Sequence, residues 1–142
     1  MVDLERNKAV VRAFVEAINA QDWDRLDALV APDFVRHSYA GGSPGVCSRD
    51  DLKRFLVDEF ETFPDAHEAI ADLLAEGDRV AVRHRFRGTQ LGPMGPHPPS
   101  GRVMTADYLA IYRLAGGVIA EAWAEWDNMA GLAQLGHVTP KA

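Results

Sequence analysis

The apolar residues of this chain change their period near Phe63, and that change limits the folds open to it. Before it, Val11, Phe14, Val15 and Ile18 fall at i, i+3, i+4 and i+7, one face of an amphipathic helix. Trp23, Leu26, Leu29 and Val30 predict a second, shorter helix. It ends at "APDF", because proline has no amide proton to donate and restricts the residue before it. Leu52, Phe55, Leu56 and Phe60 give a third helix, with Ser48 as its N-cap. After "FPD" the period drops to two. "RVAVRHRF" alternates, with Val80, Val82, His84 and Phe86 on one face and Ala81, Arg83, Arg85 and Arg87 on the other. "RVMTADYLAIYRL" and "VIAEAWAEW" read as two further strands, and "GD" and "AGG" as the turns. "FVRH" predicts a short strand before a loop, "SYAGGSPG". "AHEAIADLLAE" suits helix or strand by propensity. A short helix from about Asn128 closes the chain. Helices first and a meander of strands afterwards imply an α+β fold, with the N-terminal helices packed against one face of a curved antiparallel sheet. A sheet curved around a helix leaves an internal pocket, the default site for a small molecule.

The chain has 142 residues, which predicts a single domain over 1–142, and its 47% hydrophobic content suffices for a sizeable core. A net charge of −6 argues against nucleic acid and against an anionic membrane surface as partners. One cysteine, Cys47, admits no intrachain disulfide and fits a cytoplasmic location. No run is long enough to span a bilayer, and "MVDLERNKAVV" lacks the apolar core of a signal peptide. The histidines show no metal-ligand spacing, so no metal is expected. The glycines of "GGSPG" and "GPMGPHPPSG" match neither phosphate-loop nor dinucleotide patterns. The second of these loops reads as a pocket rim or lid, or as a structural turn.

Several pieces in order resemble the SnoaL-like polyketide cyclase family of the nuclear transport factor two-like superfamily. They are "PDFVRH" at 32–37, "FPD" at 63–65, "EGDRVAVRHRFRGT" at 76–89, "GPHPPSGR" at 95–102, "YRLAGGVIAEAW" at 112–123, Asp127, and "QLG" at 134–136. The resemblance implies a cone-shaped α+β barrel. It also implies an ester cyclase, which carries out an intramolecular aldol condensation on a polyketide ester, a carbonyl-rich small molecule, without metal or organic cofactor. An acid near the end of the last strand is the base in that family, and Asp127 stands at the matching position. The superfamily also holds isomerases, epoxide hydrolases and binding proteins, and fold does not decide among them.

A carboxylate held close to a carbon between two carbonyls can take its proton, because the enolate is delocalised. Strict alternation places Ile119, Glu121, Trp123, Glu125 and Asp127 on one face, so Trp123 would shield Asp127 and Glu125 would oppose a second charge nearby. The plainer reading of Asp127 is the N-cap of "MAGLAQL". His37, histidine in many relatives, is the second catalytic candidate, as a donor to a substrate carbonyl, or else it satisfies a local backbone group. His84, Asp107, Trp123, Phe14 and Phe86 are the expected substrate-binding residues. His84 also reads as a satisfied core histidine. Asp107, expected to pair with His84 or Arg113, opens an epoxide hydrolase-like alternative with Asp127, but Thr105 stands where that chemistry wants an arginine. The arginine stripe of Arg83, Arg85 and Arg87 is expected to pair with acids on a solvated or interface face. Ala120, Ala122 and Ala124 form a small-residue stripe opposite Trp123, which suggests a homodimer through the sheet. The rival to an enzyme is a non-catalytic small-molecule-binding domain on the same cone.

Overall fold

A computed structural model describes residues 2–42 and 45–139. Ser43 and Pro44, within the loop expected from "SYAGGSPG", lie outside the described residues. Helices α1 (Leu4–Ala20) and α2 (Trp23–Leu29) are followed by strand β1 (Val30–His37) and helix α3 (Arg49–Thr62). Four strands then run in succession: β2 (His67–Glu76), β3 (Arg79–Thr89), β4 (Val103–Ala115) and β5 (Val118–Glu125). Helix α4 (Asn128–Gln134) closes the fold.

Each helix begins on a side chain that accepts an otherwise orphaned amide proton. Asp3 caps α1 through Arg6 N, Asp22 caps α2 through Arg25 N, and Ser48 caps α3 through Asp51 N. The apolar face read from the sequence is the buried face of α1: Val11, Phe14, Val15, Ala17 and Ile18. Among the described residues no helix is long and apolar enough to cross a membrane.

The five strands form one curved, unclosed sheet in the order β1-β5-β4-β3-β2. β2 through β5 pair antiparallel, with two-residue turns joining β2 to β3 and β4 to β5 and a long loop joining β3 to β4, whereas β1 lies parallel to β5 at the edge. The strand at "FVRH" is longer than expected and takes in Pro32. An edge position tolerates the missing amide donor. The ambiguous "AHEAIADLLAE" is strand, paired with β3 from His67↔Arg87 to Glu76↔Arg79 with one register shift between Ile70 and Asp72.

Alternation holds along β3, where Val80, Val82, His84 and Phe86 are buried. It fails on β5. Arg113 pairs with Glu121 but Leu114 pairs with Ile119, so Ala120 is an extra residue, a β-bulge. Ile119 is buried, yet beyond the bulge the faces swap: Ala122 and Ala124 point inward, and Glu121, Trp123 and Glu125 point outward. The expected face of Trp123 is therefore reversed, and of the alanine stripe Ala122 and Ala124 face the interior rather than a second subunit, while Ala120 is taken up by the bulge.

Candidate functional site

A cavity of about 610 Å³ lies between the inner face of the sheet and helices α1, α3 and α4. Its walls are apolar: Phe14 and Ile18 from α1, Leu52, Phe55 and Leu56 from α3, and Phe86 from β3 all reach it. Ala122 and Ala124 leave room where larger side chains would fill it. Met94, Gly95 and His97 of the "GPMGPHPPSG" loop line it too, which makes that loop a rim. The buried Gln90 side chain pins the loop by donating to the carbonyls of Gly92 and Pro98, at 3.1 and 3.2 Å. Gly92 is required there, since a Cβ would lie 2.2 Å from the Glu61 carbonyl oxygen.

The polar groups inside this apolar space are few and specific. Glu68 is almost wholly buried at the start of β2. Asn19 of α1 holds its backbone on both sides, accepting from Glu68 N and donating to Glu68 O at 2.8 Å each. The Tyr108 hydroxyl donates to Glu68 Oε1 at 2.5 Å. Glu68 Oε2 lies 3.5 Å from Nδ1 of His84, and neither atom has a hydrogen-bond partner. His84 Nε2 contacts the Tyr112 hydroxyl at 2.9 Å, and its ring stacks on Tyr108 with centroids 4.4 Å apart. Glu59, on the buried side of α3, projects into the same cavity.

Burial sets the protonation of this cluster. It pushes the Glu59 carboxyl up to about 8, with Glu68 nearby adding to the rise and Arg36 opposing it. It pushes Glu68 up to about 7, against the lowering bond from Tyr108. Burial also holds His84 down to about 4, so its imidazole is neutral. Both tyrosine hydroxyls are pushed above their ordinary value by the same cause. A proton on Glu68 Oε2 would point at His84 Nδ1 and satisfy both orphaned atoms.

Arg36 enters from β1. Its guanidinium stands 4.2 Å from the Phe55 ring centroid and 5.2 Å from that of Trp126. At the same end, Trp126, Asp127 and Asn128 line the cavity where β5 passes into α4. Asp127 is the N-cap of α4, accepting from Ala130 N at 2.9 Å, and its exposed carboxylate also borders the opening. The Asn128 side chain accepts from Trp126 Nε1 and donates to the Ala40 carbonyl, both at 2.8 Å, which fixes this rim.

Of the residues singled out in the sequence, Phe14, Phe86 and Asp127 line the cavity. His84 lies just behind it, supporting Tyr108 and Tyr112. His37, Trp123 and Asp107 are on the outer face. His37 ends β1 opposite Trp123, stacks on that ring at 5.3 Å, and bonds Glu121 at 2.6 Å. Its expected place facing a substrate carbonyl is corrected by the pleat: Phe34 and Arg36 point inward, so His37 points out. Asp107 pairs with neither His84 nor Arg113. It accepts from Arg85 and Arg83, at 2.9 and 2.7 Å, and these arginines hold its carboxyl below the usual range.

The sequence reading missed Arg36, Glu59, Glu68, Tyr108 and Tyr112. Two carried a legible signal. Arg36 sits two residues after the apolar Phe34 on the same strand face, and Glu59 falls one turn beyond Phe55 on the apolar face of α3.

The profile of the SnoaL-like polyketide cyclases matches residues 8–135. The chain belongs to that family. Among solved structures, IdmH from Streptomyces antibioticus, a candidate polyketide cyclase, is 33% identical. The match covers 92% of this chain and 98% of IdmH, with a TM-score of 0.82. A candidate SnoaL-like polyketide cyclase from Jannaschia is 25% identical over 96% of this chain and 95% of its own, with a TM-score of 0.85. AclR from Streptomyces galilaeus, a candidate hydroxylase, shares the fold at 24% identity, covering 99% of this chain and 87% of AclR, with a TM-score of 0.85. No curated protein sequence matches the chain significantly.

Proposed function

We propose that this family member catalyses an intramolecular aldol condensation on a polyketide-like, carbonyl-rich small molecule, with Asp127 as the proton acceptor. The observation that carries the reading is one apolar cavity bordered by an exposed carboxylate, Asp127, and holding two carboxyls, Glu59 and Glu68, that burial keeps near neutrality. Acid–base catalysis wants a proton acceptor and a proton donor at once, and differing environments supply both from one residue type.

The chemistry balances without an oxidant or reductant. Asp127 takes a proton from a carbon between two carbonyls, and the electron pair spreads onto their oxygens. The enolate carbon attacks a second carbonyl carbon of the same molecule, forming the carbon–carbon bond. The oxygen of the attacked carbonyl takes up the displaced π pair and then a proton from the Glu59–Glu68 pair. Asp127 returns its proton to that pair through solvent. Tyr108 holds Glu68 in place, and the neutral His84 behind it cannot compete as a charged acid. The role expected of His37 passes in this scheme to the buried carboxyls.

The test is Asp127→Asn, which preserves shape and capping because Asn and Asp cap about equally well. Exchange of the α-protons of a β-keto ester for deuterium, followed by NMR, isolates the first step. A β-keto ester with a tethered carbonyl extends the assay to ring closure. The Asn variant is expected to lose roughly a hundredfold in exchange rate, the usual worth of a positioned base, while melting stays constant. Undiminished exchange in the variant would reduce Asp127 to the cap that its bond to Ala130 N describes and put the base elsewhere, whereas no exchange above the solvent rate in the wild-type protein would leave the chain a binding domain.

A further inference from the structure

Arg36 is the arginine of the cavity wall, and its surroundings differ from those of the ion-paired arginines elsewhere on the protein. Arg49, Arg83, Arg85 and Arg113 each lie within 4 Å of a carboxylate. Among the described residues Arg36 has none at that distance; Arg6, Arg12, Arg87 and Arg102 share that lack, but of these arginines only Arg36 lines the cavity, and its Nε is enclosed without a hydrogen-bond partner. The loop after β1 closes directly over it. A Cβ on Gly41 would stand 2.7 Å from Arg36 Nη2, so glycine is what lets the chain pass. The rings of Phe55 and Trp126 flank the guanidinium and orient it without neutralising it.

We propose that the cavity takes a ligand bearing a carboxylate, seated on Arg36 with the hydrocarbon body along the apolar walls. The inference rests on the cavity being the substrate site and names the substrate class as an ionised acid rather than a neutral ester. A guanidinium fork matches a carboxylate's two oxygens, and a half-buried cation with no carboxylate beside it gains from such a partner. The charges facing Arg36 come from Glu59 on α3, Tyr108 and Tyr112 on β4, and Glu125 on β5. Glu125 is exposed on the outer face and accepts from Tyr39 N, while burial keeps the two tyrosines protonated and biases Glu59 toward its neutral form, so inside the cavity the anion meets little repulsion. A bound carboxylate favours protonated Glu59 still further. Binding above about pH 8 must then take up a proton, and affinity falls as pH rises through that value.

The experiment is calorimetric titration of the protein with 2-naphthoate, octanoate and their methyl esters. The acids are expected to bind at least tenfold more tightly than the esters at pH 7. Above pH 8 the heat should depend on the buffer's ionisation enthalpy, which reports proton uptake. Arg36→Met keeps an unbranched apolar side chain of similar length and removes the charge. It should cost the acids roughly tenfold to a hundredfold while leaving the esters unchanged. Arg36→Lys keeps a charge but loses the fork, and should retain part of the preference for acids. Glu59→Gln should abolish the pH dependence. Esters binding as tightly as acids to the wild-type protein, or no binding of either acid, would overturn the proposal whatever the variants do. The deuterium exchange assay is independent of this result, so loss of one reading leaves the other standing.

Discussion

Glu68→Gln should make the protein more stable, and increasingly so as pH rises. The substitution keeps the shape of the side chain. Its amide oxygen can still accept from Tyr108, and its NH₂ replaces Oε2 at 3.5 Å from the unpartnered His84 Nδ1. What it removes is an ionisable group whose folded value is about 7 against an ordinary 4.5. Between those values the folded protein holds a proton that the unfolded chain has released. Wild-type stability therefore falls as pH rises through that window, and the loss is complete above pH 7. At about 1.36 kcal/mol per pH unit over about 2.5 units, the loss is roughly 3 kcal/mol. Less than about 1 kcal/mol of it is spent by pH 5, so between pH 5 and 8.5 the variant should gain about 2–3 kcal/mol on the wild type. Removing the Glu68 charge also relieves Glu59, which adds in the same direction. For 142 residues at about 2.1 cal/mol/K each, the gap in melting temperature should widen by roughly 7–10 °C. Paired melts at pH 5 and 8.5 measure this. A gap independent of pH, or one that narrows toward pH 8.5, would refute the claim that Glu68 is held near neutrality by burial.

Two further outcomes follow from the geometry. His84→Ala should cost about 3 kcal/mol of stability, because a fully buried ring stacked on Tyr108 and bonded to Tyr112 is replaced by a void. A large fall in turnover with unchanged melting and substrate affinity would contradict this. We also propose that two copies pair through the outer face of the sheet, which exposes Leu109 and Ile111 beside the paired Arg83, Arg85 and Asp107. Sedimentation at micromolar concentration showing only a 15.6 kDa species would refute it.

The fold was legible because its elements obey simple periods. Val11 to Ile18 on α1 and Val80 to Phe86 on β3 are buried as their spacing demands. Ser48 and Asp127 cap helices as short polar side chains before apolar runs do. The face of β5 was not legible, because a bulge is an event of pairing rather than composition: nothing in "VIAEAWAEW" marks Ala120 as the unmatched residue. That one residue turns Trp123 away from Asp127 and turns Ala122 and Ala124 toward the cavity. Glu68 was hidden for a different reason. Its strand carries no clean alternation, and only Asn19 and Tyr108, 49 and 40 residues away in sequence, define its surroundings.

The same residue types occur on both faces of the sheet and behave oppositely, which locates the chemistry more firmly than residue identity does. Outside, Arg83 and Arg85 share Asp107, while His37 and Arg113 share Glu121, and each carboxyl is held below its usual range. These groups satisfy one another in water, where an ion pair is worth little and poises nothing. Inside, Arg36, Glu59, Glu68 and His84 lie around an apolar space, and the carboxyls and imidazole are shifted toward neutrality. The two carboxyls, titrating near working pH, can give or take a proton at small cost, and a cation without a carboxylate can take an anion. The cone therefore separates a face of completed pairs from a face of incomplete ones, and it is the incomplete face that a ligand would complete.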